Sequence, residues 1–229
     1  MTVTGPSRPA RWRLSAKLLV ASTLITIVGF SAVCVSVMVN MRHGEAELAR
    51  QTSENLASSI DADISRNIEL FDLSLRAVVT NLLSPEIKSV SRELRHLILF
   101  DHAATAQHFG AIQVFGPDGR LLIDASTLDP APASAIDDEY FTIQRDNANL
   151  GLFISRPMMH RGAYSIVLSR RIVHADGSFA GVAAGAIRFS YFHELFGRLR
   201  LDPEDTITVM RNDGIVIMRT PFDPAAIGR

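Results

Sequence analysis

The side chains able to do chemistry in this 229-residue chain suit holding a molecule better than breaking one. Asp138, Tyr140, Arg156, Tyr164 and Arg170 supply a carboxylate, two guanidinium groups and two phenols. Such a set can hold a small acid or an amino acid: a guanidinium meets the carboxylate, aromatic walls exclude water, and hydroxyls orient the rest. No bond-breaking motif stands beside them. The chain lacks a G-x-S-x-G elbow, a glycine-rich phosphate loop, H-E-x-x-H and a paired Cys-x-x-Cys. His96, His102 and His108 recur every six residues, which does not align them on one helical face as metal ligands require. Neither a metal nor a cofactor is expected, and this chain is not expected to be an enzyme.

The elements that must position these residues follow from local pattern. Asp137 or Asp138 can cap a short helix carrying Tyr140, Phe141 and Ile143. Arg156 falls in a strand over Leu152 to Pro157, Tyr164 and Arg170 in one over Tyr164 to Val173, and a further strand spans Phe179 to Phe189. Alternation puts Tyr164, Ile166, Leu168 and Arg170 on one face and Ser165, Val167, Ser169 and Arg171 on the other, so only one of Arg170 and Arg171 can enter a given site. Arg170 with Tyr164 is favoured, because the face they share needs a polar purpose. Plainer roles exist for each residue: Arg156 at a strand end, Arg170 and Arg171 paired with carboxylates, Tyr140 in the core.

Upstream, residues 18–41 run without a charge until Arg42, long enough for a transmembrane helix. Arg8, Arg11, Arg13 and Lys17 crowd the preceding basic stub, residues 1–17, which predicts a cytoplasmic N-terminus in an inner membrane and a periplasmic remainder. A cleaved signal peptide would have a shorter apolar core and a small-residue cleavage site, which is not found. The single cysteine, Cys34, lies in this span, leaving no disulfide outside it. A net charge of −1 gives no nucleic-acid footprint.

Residues 44–100 read as a long stalk helix and a helical hairpin. Leu56, Ile60, Ile64, Ile68, Phe71, Leu75, Val78 and Leu82 form one apolar stripe that wants a partner, and a homodimer along the stalk is expected. Ser84-Pro85 restarts a helix. A hairpin then runs from Ala111 to Ala125 about Asp118-Gly119, and the later strands complete a five-stranded, largely antiparallel sheet. Its last strand is rich in small residues, Ala180, Gly181, Ala183, Ala184, Gly185 and Ala186, which lets the long helix approach closely. Asp118, Asp176 and Asp213 each precede a glycine, where turn geometry accounts for them. After a closing helix, the hairpin over Thr206 to Met218 restates the first, position for position across Asn212-Asp213-Gly214.

Asp138-Glu139-Tyr140-Phe141, residues 151–157, residues 166–172, residues 176–181 and Tyr191-Phe192, in this order of elements, resemble the double Cache sensor module of bacterial receptors. The resemblance is closest to the pair found ahead of diguanylate cyclases and histidine kinases. It implies an α+β, PAS-like extracytoplasmic sheet with the long helix on one side and a small-molecule pocket on the other. Residues 108–200 would be the membrane-distal Cache domain and 204–229 the truncated start of a second. The family's second span and output domain have no counterpart here, so the chain reads as the front of a receptor. The competing expectation is a membrane-tethered periplasmic protein that dimerises or docks a partner without a ligand.

Overall fold

The computed structural model describes residues 10–100, 110–199, 201, 202 and 204–229. His102 and His108 lie outside the described residues, as do residues 1–9 of the basic stub. The chain divides into two compact units, residues 1–64 and 65–229.

The first unit is helical throughout its described length. Helix α1 (Ala10–Leu83) is unbroken over 74 residues, and its segment Leu18–Met41 has a mean hydropathy of 2.4 with none of it buried, long and apolar enough to cross a membrane. Ser22 and Thr23 donate their hydroxyls to the Leu19 carbonyl, and Thr26 donates to that of Ser22. Polar groups so satisfied can sit in an apolar solvent. Past the span, Arg50 pairs with Glu47 at 2.8 Å and Glu54 at 2.6 Å, the i,i+3 and i,i+4 contacts of a solvated helix.

In the second unit α1 runs on to Leu83, and Pro85 then ends it. The helix expected to restart at once is instead a 3-10 turn, Pro85–Lys88, with α2 (Arg92–Phe100) beginning later. Asn81 donates to the Ile98 carbonyl at 3.2 Å and ties the two helices together.

The sheet follows: β1 (Gln113–Phe115), β2 (Leu121–Asp124), α3 (Glu139–Asp146), β3 (Phe153–Ile154), β4 (Met158–His160), β5 (Ala163–Val173), β6 (Phe179–Arg188) and α4 (Phe189–Gly197). It has six strands in the order β2-β1-β6-β5-β3, β4 also pairing with β5, and every pairing is antiparallel. Five were expected. The difference is local: the segment read as one strand keeps only two residues in β3, and β4 turns back on β5 through Arg161-Gly162, both at positive φ (51° and 81°).

Three turns share one geometry. Gly119, Gly177 and Gly214 all sit at positive φ and donate N–H to the residue three before them, Gly116, His174 and Arg211. The preceding Asp118, Asp176 and Asp213 each accept from the main-chain N–H two residues on. The last of these joins β7 (Ile207–Met210) to β8 (Val216–Thr220) in a separate two-stranded sheet.

Both faces of the main sheet are covered. On one, Phe71, Leu75 and Val78 of α1 are fully buried, and a Cβ on Gly185 would stand 2.5 Å from Phe71 Cζ, so the small-residue strand does admit the helix. On the other, Tyr140 and Phe141 of α3 pack with Phe115, Val167, Val182, Ala184 and Ala186. Register assigns the faces: Val167 opposes Ala186, while Leu168 opposes Gly185.

Candidate ligand site

On the α3 face, at the β1–β2 end of the sheet, lies a cavity of about 340 Å³. Its polar wall is made by Gln113, Asp124, Asp138, Tyr140, His160 and Arg161, and a Pro-Ala segment, residues 130–133, forms part of its rim. The sheet positions two of these directly. Gln113 and Asp124 are register partners on β1 and β2, so both point to the same side, and Gln113 Nε2 donates to Asp124 Oδ2 at 2.8 Å.

Asp124 is the fixed charge of the site. Its side chain is 1% exposed and pairs with Arg161 Nη1 at 2.7 Å. Ser126 donates to Oδ1 through its N–H at 2.8 Å and its hydroxyl at 2.5 Å. Burial opposes this charge, but the Ser126 and Gln113 hydrogen bonds and the Arg161 charge outweigh it, holding the carboxyl below the usual carboxylate range. Arg161 reaches the site from the two-residue turn between β4 and β5, where it holds a φ of 51°.

Asp138 occupies the N-cap position of α3 but makes no capping hydrogen bond. Its carboxylate instead accepts from the Tyr140 phenol. Burial, with Asp138 beside it, pushes that phenol far up, so the hydroxyl stays a proton donor. Among the described residues Asp138 has no ion-pair partner. His160 completes the wall, edge-on to the Tyr140 ring at 6.4 Å. Burial and the neighbouring Arg161 lower its pKa against the opposing pull of Asp138 and Asp124, so the imidazole is neutral at neutral pH. The site therefore offers one buried carboxylate already paired, one carboxylate without a cation, an exposed guanidinium and a phenol whose proton is given to Asp138 and whose oxygen can still accept.

Of the residues named from sequence, the structure brings Asp138 and Tyr140 together. Arg156 points elsewhere: its side chain is 61% exposed, stands 3.7 Å from Glu139, and its N–H donates to that carboxylate. Tyr164 is exposed on the opposite face, its ring 5.9 Å from Phe189. The placement expected for Arg170 is corrected. The face it shares with Tyr164 is the α1 face, where its guanidinium donates to Asp72, at 2.8 Å through Nη2. Its polar purpose is a helix-to-sheet ion pair. Arg171, on the α3 face, also stays out of the cavity, donating Nη1 to the Gln144 and Arg145 carbonyls at 2.6 Å while stacking on Phe179.

Sequence reasoning missed Gln113, Asp124, His160 and Arg161. A signal existed for Asp124, since Leu-Leu-Ile-Asp ends an apolar strand on a carboxylate at an inward position. None existed for Arg161, which reads as a turn residue. Among the described residues no cluster of three or more His, Cys, Asp or Glu is placed to hold a metal.

No protein-family model matches the sequence, and no curated protein matches it. Solved structures do share the architecture. The extracellular domain described as that of histidine kinase rpHK1S-Z16 aligns over 80% of this chain and 75% of its own, at 25% identity and a TM-score of 0.60. That of mmHK1S-Z2 aligns over 80% and 76%, at 15% identity and a TM-score of 0.58. An extracellular ligand binding receptor from Desulfohalobium retbaense DSM5692 aligns over 76% of this chain and 32% of its own, at 17% and 0.58. The chain thus has the α+β, Cache-like fold of extracellular sensor domains.

Proposed function

We propose that this chain is the signal-input module of a membrane-bound bacterial receptor, and that its α3-face cavity binds an amino acid or a closely similar zwitterion. The observation that carries the reading is the pairing of charges in one small cavity. Asp138, without a cation of its own, suits an ammonium, and Arg161 suits a carboxylate. Tyr140 Oη and Gln113 supply orientation, and Phe115 and Leu121 supply apolar wall for a side chain. The fold shared with an extracellular kinase domain supports a sensor.

A ligand that prefers one arrangement of α3 and the sheet shifts the population toward it. The apolar segment Leu18–Met41 would tether the module, with the N-terminus in the cytoplasm and the sheet outside. The β7–β8 hairpin would open a second copy of the fold, and a cyclase or kinase would lie beyond it in the receptor. Exposed Leu70 and Leu73 on α1, 51% and 52% exposed, would pair two copies; disulfide cross-linking of Leu73→Cys in a Cys34→Ser chain tests this, and absence of a cross-linked dimer in membranes refutes it.

The deciding experiment is a thermal-shift screen of the full chain in detergent against the common L-amino acids, with Asp138→Asn and Arg161→Gln in parallel. At least one amino acid should stabilise the wild type, and both variants should lose that increment. A wild type that responds to none, or variants that respond as it does, would overturn the assignment.

A further inference from the structure

A smaller cavity of about 210 Å³ lies across β2 from the first, lined by Arg92, Arg95 and His96 of α2, Leu122 and Ile123 of β2, and Leu128. Its charge is one-sided, with two guanidinium groups, an imidazole and no carboxylate among the lining residues. Arg92 is engaged, donating to Asp129 Oδ1 at 2.7 Å and to the Leu128 carbonyl. Arg95 donates its Nε to the Ile87 carbonyl at 3.1 Å. Its two terminal amino groups have no partner among the described residues, and a guanidinium carries five donors, four of them on those groups. His96 Nε2 meets the main-chain carbonyl of Asp124 at 3.0 Å, and since a carbonyl only accepts, the proton sits on Nε2. Leu122 and Leu128 are exposed beside these cations.

We infer that this cavity binds a small organic anion, a carboxylate on a short apolar body. The Arg95 amino groups would take the carboxylate in two parallel hydrogen bonds. Leu122, Ile123 and Leu128 would cover the body. A bare inorganic anion would leave the leucines in water, and an amino acid would bring an ammonium toward two guanidinium groups, so the chemistry differs from that of the first cavity. The volume is below the roughly 300–1,000 Å³ of pockets for drug-sized molecules and fits a few heavy atoms.

Asp124 lines the first cavity, and His96, which lines the second, is bonded to its main chain. Its carboxylate pairs with Arg161 in one and its carbonyl is held by His96 at the other.

The test uses the full chain in detergent with butyrate as probe, read by isothermal titration and by the resonances of the His96 ring. Saturable 1:1 binding that shifts His96 is expected, with no comparable response to sulfate at equal ionic strength. Arg95→Gln should weaken butyrate by about tenfold or more, and Arg95→Lys by less. Arg161→Gln should leave it unchanged. If Arg95→Gln loses its thermal transition, Leu122→Glu, a surface change that puts a carboxylate in the wall, should abolish butyrate binding in its place. No saturable response, or equal affinity in the variant tested, overturns the site. Equal binding of sulfate overturns the apolar body. Loss of butyrate binding in Arg161→Gln alone would move the anion to the first cavity and leave the amino-acid reading standing.

Discussion

Replacing Arg170 by methionine should lower the stability of the sensor unit while sparing its response to ligand. The Arg170 and Asp72 side chains are only 18% and 10% exposed, and burial works against the Asp72 charge. The Arg170 hydrogen bonds and the Arg170 and Arg76 charges outweigh it and hold that carboxyl below its ordinary range. Removing one partner of a buried pair costs about 3–5 kcal/mol, because the other charge is left in poor solvent. Here Arg76 still donates to Asp72 at 2.9 Å from a side chain 59% exposed, so part of the charge remains met and about 2–3 kcal/mol is the expected loss. At roughly 2–4 °C per kcal/mol for a unit of this size, the thermal midpoint should fall by about 4–12 °C. The ligand increment, about 2.7 kcal/mol at a hundredfold excess over Kd, should survive, since Arg170 and the cavity lie on opposite faces of the sheet. Thermal unfolding of the full chain, with and without the amino acid most effective on the wild type, reads both quantities. An Arg170→Met chain that melts like the wild type but no longer responds to ligand would refute the face assignment.

The close approach of α1 to the sheet predicts that Gly185→Ala, whose Cβ would stand 2.5 Å from Phe71 Cζ, destabilises by about 1–3 kcal/mol. Adding Phe71→Leu should recover part of that loss, and no recovery would argue against the contact. Acidification should destabilise the unit in two stages. His160 and Asp124 both have folded pKa values below their unfolded ones, so each contributes stability that is present above its unfolded pKa and lost as pH falls through the folded one. The first stage opens below about 6.5 and the second below about 3.9. His160→Gln should flatten the first stage; an unaltered stability-versus-pH profile in that variant would assign the stage to another group. Alkaline phosphatase fused after Arg229 should be active in a bacterial host and β-galactosidase inactive, whereas the reverse pattern would place the domain in the cytoplasm.

Much of the secondary structure was legible because its causes are local. An Asp-Gly pair between β-rich runs forces a glycine with positive φ and an aspartate that accepts from the chain just ahead, and all three such turns formed as expected. A charge-free stretch followed by an apolar stripe makes a long helix, and a run of alanine and glycine in a strand admits a helix on that face. The short strands were harder. β3 and β4 hold two and three residues, too few for a period to show, and what defines them is pairing with β5, a distant partner.

The two faces of β5 could be sorted by alternation but not assigned to a layer. Residues 165–169 are buried on both sides, so neither face has the polarity that marks solvent, and an arginine on either one reads equally as a ligand contact or as an ion pair. Only the packing of α1 against one face and α3 against the other sent Arg170 to Asp72. The same holds for the site. Asp124, Asp138 and Arg161 stand far apart in sequence and carry no shared motif. A cavity is the space left when layers pack, and its charges meet through sheet register, which no one segment encodes alone.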